Sequence, residues 1–408
     1  MRIVIVGGGE IGLGLARSLS ADHEVFVVDH ASDVADRFMP LDVEFVLGVG
    51  TSREALGRAQ VNRADVFVAC TGLDEVNLVS CAVARQLGTP RTICFVSRED
   101  FLELPTEARG LAAFGVDRVI WPEAQLAEDI ERIVCAPGAL DAETFAGGAI
   151  QLVEYRLDAQ SPLTTGRIAD LHMPRNSLIV AVRRGDLFFI PRGDSELAGG
   201  DKAVMMGTPE ALREVRGRMT GTDAPARQRV TIIGGGDVGL NLAERLDRNA
   251  DSIDLTLIER DLKRGEMIAG RLKRALVLNG DGTDLELLEA ENVGRSDVLV
   301  GVIDNDERNL LASLLGRQLG VRRIITRVSK RANLRLFELV GIDVAISARG
   351  AAVASVVHQI QGGTTRLLTL IEQGAGRILE LDVPQGYAAR SLREVAAPLN
   401  SIIGAIVR

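Results

Sequence analysis

Residues 2–19 read RIVIVGGGEIGLGLARSL, and residues 229–246 read RVTIIGGGDVGLNLAERL. The match continues down the chain. Gly50-Thr51 answers to Gly282-Thr283, Ala64-Asp65-Val66 to Ser296-Asp297-Val298, Arg85-Gln86-Leu87-Gly88 to Arg317-Gln318-Leu319-Gly320, and Gly115-Val116-Asp117 to Gly341-Ile342-Asp343. A repeat of this length is far beyond the period of a solenoid, so it marks duplication of a whole domain. Within the first copy, short β-branched runs at 2–6, 24–29, 43–47, 65–70, 92–96 and 118–121 alternate with helical stretches such as the one carrying Ile11, Leu15, Ala16 and Leu19. Strands apolar on both faces and separated by helices imply a parallel sheet covered on both sides. The expected fold class is α/β, with two Rossmann-like doubly wound parallel sheets.

After each copy the pattern changes. Residues 149–207 show short alternating strands, one short helix near 167–171 and a hairpin at Arg184-Gly185-Asp186, as expected of a small α+β module. The second half enters the same module at Arg377 and aligns as far as Arg408 with Arg183, so its second C-terminal module is expected to be incomplete. The expected division is 1–122 (first Rossmann-like domain), 123–146 (crossover helix and linker), 147–219 (first small module) and 220–228 (linker), then 229–347, 348–375 and 376–408 for the counterparts.

The chemistry sits in the glycine turns. Gly7-x-Gly9-x-x-Gly12 and Gly234-x-Gly236-x-x-Gly239 each follow a strand and open a helix. In such a turn the first glycine permits the tight bend, the second lets a pyrophosphate approach the backbone, and the third lets helix and strand pack closely. Unpaired N–H groups at the helix start then hold phosphates. An acid ends each second strand, Asp29 and Glu259, placed for the ribose hydroxyls of adenosine and repelling a 2′-phosphate, which favours NAD(H) over NADP(H). Gly7, Gly8, Gly9, Glu10, Ile11, Gly12, Asp29 and His30 are the candidate binding residues around the first turn. Gly234, Gly235, Gly236, Asp237, Val238, Gly239, Glu259 and Arg260 are those around the second. Ligands bind beyond the carboxyl ends of parallel strands, so the loops after strands three, four and five are candidates too. They add Gly50, Thr51, Thr71 and Gly72 in one copy, and Asp281, Thr283, Ile303, Asp304 and Arg327 in the other. Helix capping by Thr51, Thr283 and Asp304 is the alternative reading for those three.

Composition removes other classes. Aromatics are 3% of the 408 residues and the formal charge is −9, so there is neither a base-stacking surface nor a global basic field for nucleic acid. The basic group Arg322, Arg323, Arg327, Lys330, Arg331 and Arg335 reads mostly as a solvated helix face, with Arg327 aimed into the crevice. The 4 Cys and 4 His are dispersed, and no metal site is expected. With no apolar run of membrane-spanning length and a strand at the very start, a soluble intracellular protein is expected, with any membrane role peripheral. Only four lysines (Lys202, Lys263, Lys273, Lys330) and 2 Tyr exist to serve as proton donors. A dehydrogenase is therefore the secondary reading and no catalytic residue is assigned.

Together the paired glycine turns, Asp74-Glu75-Val76-Asn77 with Asp306-Glu307-Arg308-Asn309, and the phrases SPLTTGRIADL, LIVAVRRGD and IPRGDSELAGGD carry a resemblance over nearly the whole chain. The chain resembles the regulatory subunits of Trk-type potassium uptake systems, built from tandem RCK/KTN units. That resemblance implies a cytoplasmic, peripheral-membrane regulatory subunit that binds NAD(H), with ATP or ADP in some members. It further implies a dimer of two-repeat chains forming a four-domain ring on an integral-membrane Trk-type potassium channel or transporter subunit. Val49 and Phe95 depart from the family pattern; Phe95 stands opposite Arg327 of the second copy. An NAD-dependent oxidoreductase and an RCK subunit of another cation channel or antiporter are the alternatives.

Overall fold

The computed structural model describes residues 1–98, 101, 110–220, 227–248, 251–361, 365–371, 376–383 and 400–407. Its first parallel sheet runs β3-β2-β1-β4-β5-β6, from strands β1 (Arg2–Val6), β2 (Glu24–Asp29), β3 (Val43–Leu47), β4 (Val66–Ala69), β5 (Thr92–Phe95) and β6 (Arg118–Ile120). Because side chains alternate across a strand, Ile3 and Ile5 face Leu15, Ala16 and Leu19 of α1 (Glu10–Leu19). Val4 and Val6 face the other way, onto Leu56 of α2 (Arg53–Arg58) and Cys81 of α3 (Asp74–Gln86). Apolar residues on both faces thus force a sheet sandwiched between helices. The strand order reverses between β1 and β4, and the crevice opens there.

α4 (Pro122–Cys135) then leaves β6, and the chain enters a small antiparallel sheet of order β10-β9-β11-β8-β7. Its strands are β7 (Ala139–Phe145), β8 (Ile150–Arg156), β9 (Ser177–Arg184), β10 (Leu187–Phe189) and β11 (Lys202–Gly207), and α5 (Pro209–Thr220) covers one face through Leu212 and Val215. Sequence reasoning assigns 123–146 to a crossover and linker. The structure ends that helix at Cys135, turns at Pro137-Gly138 with Gly138 at φ +82°, and makes the rest the first strand of the small sheet. The short helix expected near 167–171 is a single 3-10 turn, Ile168–Asp170.

The second half repeats the first. Strands β12 (Gln228–Ile233), β13 (Ile253–Glu259), β14 (Leu276–Asn279), β15 (Val298–Gly301), β16 (Arg323–Arg327) and β17 (Val344–Ile346) form a parallel sheet of order β14-β13-β12-β15-β16-β17. Its helices are α6 (Asp237–Asp247), α7 (Leu262–Arg271), α8 (Leu285–Ala290), α9 (Asp306–Gln318) and α10 (Arg331–Leu339), followed by the crossover α11 (Ala348–Gln361). A hairpin, β18 (Thr365–Ile371) with β19 (Gly376–Leu381), follows. Ile378 of that hairpin packs on the small sheet's outer face, beside Val180 and Met206. Outside the described residues lie 384–399, most of the stretch that the sequence assigns to the second small module. Among the described residues no helix is long and apolar enough to cross a membrane.

The two halves exchange their crossover helices. Leu126, Ala127, Ile130, Ile133 and Val134 of α4 are buried in the core of the second sheet, with Leu240, Leu242 and Leu246. Ala352, Val356, Val357 and Ile360 of α11 are buried in the core of the first, with Ile3 and Leu15. A matched pair of arginines holds the far ends. Arg323 Nη1 donates to the carbonyls of Ile133 (3.1 Å) and Ala136 (3.3 Å), and its Nη2 donates to Ala139. Arg91, at the equivalent position, donates to the carbonyl of Gln359 at 2.6 Å. Carbonyls at a helix end have spare accepting capacity, and the Ile133 and Ala136 oxygens, which each accept one backbone N–H, take the guanidinium as a further donor. Arg323 therefore departs from the solvated helix face expected of its cluster: it begins a strand, is 9% exposed, and burial lowers its pKa to about 10. Arg322 and Arg335 are exposed as that expectation has it, and the Arg331 side chain lies outside the described set.

Candidate functional site

Each glycine turn is held by its own backbone and by the acid of the second strand. Gly7 adopts φ +112°, and a Cβ there would stand 2.9 Å from the Cys70 carbonyl. At Gly12 a Cβ would lie 1.8 Å from the Gly7 oxygen, and at Gly239 one would lie 1.9 Å from the Gly234 oxygen, so close helix–strand approach demands glycine. Gly9 and Gly236 differ. Their dihedrals, φ −69°, ψ −166° and φ −62°, ψ −171°, suit any residue, and a Cβ on either meets nothing within 4 Å. Both are N-caps without a side-chain hydrogen bond to the helix, so α1 and α6 begin with backbone donors not capped by a side chain.

Asp29 Oδ2 accepts from Gly8 N at 2.5 Å and Oδ1 from Ala31 N at 2.8 Å. Glu259 repeats this with Gly235 N at 2.6 Å and Asp261 N at 2.8 Å. These carboxylates brace the turns, and each oxygen keeps a second lone pair. His30 is 80% exposed with Nδ1 3.3 Å from Asp29 Oδ1, a rim position.

The loops after strands four and five of each sheet are tied together by the repeated motif. Asn77 Nδ2 donates to the carbonyls of Thr71 (3.1 Å) and Phe95 (3.0 Å), and Asn309 Nδ2 to those of Ile303 (2.7 Å) and Arg327 (3.0 Å). The Thr71 hydroxyl lies 2.7 Å from Asn77 Oδ1, so it is engaged within the loop, beside Gly72. Asp306 accepts from Ser329 N at 2.7 Å and from the Asn333 amide at 2.7 Å. Burial opposes its ionisation, but these bonds outweigh it and hold the pKa below the usual carboxylate value. Helix capping falls to Ser52, Asp284 and Asn305, so the capping alternative for Thr51, Thr283 and Asp304 is replaced. Thr283 instead donates to Asp281 at 2.7 Å, and Thr51 follows Gly50, where a Cβ would meet Val6 at 2.1 Å.

Around the second turn these parts enclose a cavity of about 350 Å³. Gly234, Gly236, Asp237, Val238, Glu259, Arg260, Ile303, Asp304 and Arg327 line it, whereas Gly235, Gly239, Asp281 and Thr283 stand behind. Three charged residues line it that are not among the candidates from sequence: Glu123, Arg264 and Arg308. Arg308 lies one residue before the motif's Asn309, and its charge could have flagged it. Arg264 is one turn into α7. No sequence signal points to Glu123, which arrives on the exchanged helix.

Three of the cavity's four arginines are neutralised in place. Arg264 pairs with Asp237 at 2.8 Å, Arg308 with Asp281 at 2.6 Å, and Arg327 with Asp304 at 2.8 Å. Burial opposes charge on Asp281, yet Thr283 and Arg308 bring its pKa below the ordinary value. Burial raises the pKa of Glu123, Asp237 and Asp304 add to that, and Arg327 opposes it. Glu123 Oε2 and Arg327 Nε are both sealed from solvent without a hydrogen-bond partner among the described residues. Among those residues no group of three or more His, Cys, Asp or Glu is arranged to hold a metal.

On the first side, Ile11, Thr71 and Gly72 line a cleft of about 310 Å³ that runs between the halves and reaches Glu123, Arg327 and Arg349. Glu10 is paired with Arg37 across the first turn.

Known proteins share this arrangement. A family model described as the TrkA-N domain matches residues 3–122 and 230–348, and one described as the TrkA-C domain matches residues 152–220. "Trk system potassium uptake protein TrkA homolog 1" of Methanosarcina mazei is 37% identical over 417 residues, covering 100% of this chain and 92% of its own. The Archaeoglobus fulgidus TrkA homolog is 36% identical over 409 residues, with coverage of 100% and 92%. "Trk system potassium uptake protein TrkA" of Halomonas elongata is 30% identical over 423 residues, with coverage of 100% and 91%. Among solved structures, the GsuK RCK domain superposes with a TM-score of 0.62 at 21% identity, covering 90% of this chain and 79% of that one. A structure titled "GsuK channel bound to NAD" has the same TM-score, covering 88% of this chain and 64% of that one. At such identity the likeness is one of fold.

Proposed function

This chain belongs to the TrkA family of Trk-system potassium uptake proteins, and on that premise we propose that it is a nucleotide-sensing regulatory subunit which gates a membrane potassium channel or transporter. One observation carries the nucleotide reading. Gly9 and Gly236 are glycines where neither backbone nor packing requires one, and each sits at the start of a helix whose first N–H groups have no side-chain cap. Space left open at that point, twice, fits a pyrophosphate lying against the backbone. Asp29 and Glu259 would hold the adenosine ribose through their remaining lone pairs. Solved relatives of the fold titled as bound to NAD and to ADP agree with this ligand class.

NAD(H), with ADP or ATP, is thus the proposed ligand of this chain. The residues lining the second cavity are carboxylates, arginines, glycines and aliphatic side chains, with no His, Lys or Tyr, a set we read as one for binding. The subunit is proposed to act at the cytoplasmic face of the membrane as a dimer, whose four Rossmann-like domains form a ring beneath the transporter. A nucleotide biases such a gate only through its different affinity for two ring conformations, typically about 1–3 kcal/mol. Calorimetric titration of NAD+, NADH, ADP and ATP, with capture of a Trk-type membrane subunit by the tagged chain, tests the proposal. It fails if no nucleotide binds and no such subunit is retained.

A further inference from the structure

α4 ends where the chain crosses from the second Rossmann-like core into the small sheet, and that joint carries more acid than the bases beside it match. The helix is buried in the core at Ile130, Ile133 and Val134, turns at Gly138, and lies against β7, which carries Asp141 and Glu143. Arg132 stands in the middle. Its Nη2 donates to Asp129 and to Glu143 Oε1 (3.0 Å), its Nη1 to Glu128 Oε1 (3.3 Å) and its Nε to the Ala142 carbonyl (3.1 Å). From α6, Arg245 reaches Glu128 at 3.7 Å and Glu131 at 3.1 Å. On β8, Glu154 stands opposite Asp141 and is taken up by Lys202 at 3.5 Å. Arg323 of β16 spends its donors on the backbone carbonyls of Ile133, Ala136 and Ala139. The base that offsets the acids at Asp129 and Glu143 is therefore Arg132.

We propose that this joint is a proton-sensitive latch: a proton on Asp129 or Glu143 keeps the first small module locked to the second Rossmann-like domain, and loss of that proton loosens it. The latch gives the chain an input separate from both glycine-turn crevices, and it does not depend on the nucleotide reading.

The duplication shows that the fold does not need this cluster. At the register that relates Ile120 to Ile346, Glu128, Asp129, Glu131 and Arg132 answer to Ala354, Ser355, Val357 and His358, and Asp141 and Glu143 answer to Leu367 and Thr369. α11 is nevertheless seated in the opposite core as α4 is. Geometry then gives the charges a consequence. Asp129 and Glu143 meet on one guanidinium nitrogen, so ionising both leaves a negative charge unmatched there. Burial pushes Asp129 up to about 7, with Glu143, Asp141 and Glu128 adding and Arg132 opposing. Burial raises Glu143 as well; Asp141 and Glu128 add to it, and Arg132 and the Thr144 backbone oppose it. A carboxyl raised in the folded state contributes stability that is full below its ordinary range and is lost as pH rises through the folded value. The latch is thus closed in acid and loosest above neutrality.

The test is amide hydrogen exchange of the full chain at pH 6, 7 and 8 in chelator-treated buffer. It is followed in a peptide spanning residues 133–141, where the Ala136 and Ala139 amides are bonded within the turn. After correction for the intrinsic exchange rate, protection is expected to fall about tenfold from pH 6 to pH 8, as one carboxyl titrating near 7 dictates. A peptide spanning 228–233, in β12, is expected to keep its protection. Asp129→Asn and Glu143→Gln keep the shape and each remove one charge, and either is expected to hold the turn as protected at pH 8 as at pH 6. A merely structural role would instead lower protection equally at every pH. Constant protection in the parent over this range overturns the latch. So does a tenfold fall that persists undiminished in both variants, since the titrating group would then lie elsewhere.

Discussion

Exchanging single glycines for alanine separates the residues that the ligand needs from those that the fold needs. At Gly12 an added Cβ would lie 1.8 Å from the Gly7 oxygen and 3.0 Å from the Gly7 carbonyl carbon, both backbone atoms that no rotamer change can move. An ordinary carbon–oxygen contact is above 3 Å, so α1 must lift off the strand by more than an ångström. Overpacking of this kind costs about 1–3 kcal/mol and sometimes more, which lowers the melting temperature by several degrees or more. At Gly9 the dihedrals suit alanine and the methyl group meets nothing within 4 Å. Folding is then expected to change little, since the gain of about 0.4–1 kcal/mol from the stiffer unfolded chain is offset by a comparable loss for alanine at an N-cap. Nucleotide binding is expected to fall. The methyl group occupies the approach of the pyrophosphate, and losing one charge-assisted hydrogen bond to the helix start costs about 1.5–3 kcal/mol, or roughly ten- to a hundredfold in affinity. Gly236→Ala and Gly239→Ala should reproduce the contrast in the second half. Thermal melts and calorimetry with ADP and NAD+ read the two effects separately. Undiminished binding by both Gly9→Ala and Gly236→Ala would refute the placement of the pyrophosphate, and an unaltered melt for Gly12→Ala would refute the packing argument.

Arg323→Met should cost about 3 kcal/mol, near 1 kcal/mol for each of three guanidinium hydrogen bonds lost, whereas Arg91→Met, with one such bond, should cost about 1 kcal/mol. Equal losses in urea denaturation would sink the clamp assignment. Glu123 has its pKa raised by burial, so its contribution to stability is full below the ordinary carboxylate pKa and is lost as pH rises through the higher folded value. Glu123→Gln should therefore melt above the parent at pH 8 and level with it at pH 4; the reverse order would contradict the burial of that carboxylate. The sole Trp, Trp121, directly precedes Pro122-Glu123, and its indole nitrogen is sealed without a hydrogen-bond partner among the described residues. Its emission should shift when ADP fills the second crevice, and Gly236→Ala should abolish the shift. Constant emission at calorimetric saturation would place the ligand elsewhere.

Much of the site is local, and local features are legible in sequence. Gly7, Gly9 and Gly12 act within one strand–turn–helix unit, and Asp29 reaches the turn from the neighbouring strand, so spacing alone identifies them. The duplication was equally plain, because two matching βαβ series can only build the same sheet twice. The roles of Asn77 and Asp306 were not visible, since their partners lie about twenty residues away in loops whose approach depends on the closed sheet.

What the amino-acid order determined by itself was the repeated parallel sheet and the two glycine turns, because hydrophobic periodicity and backbone sterics act over a few residues at a time. Tertiary structure alone decided where α4 and α11 pack. Each has an apolar face that either sheet could bury, and nothing in its own residues names the partner. That choice put Arg323 in the interior, Glu123 at the second crevice and Arg349 beside the first, because a side chain's electrostatic surroundings are fixed by whichever surface its helix covers.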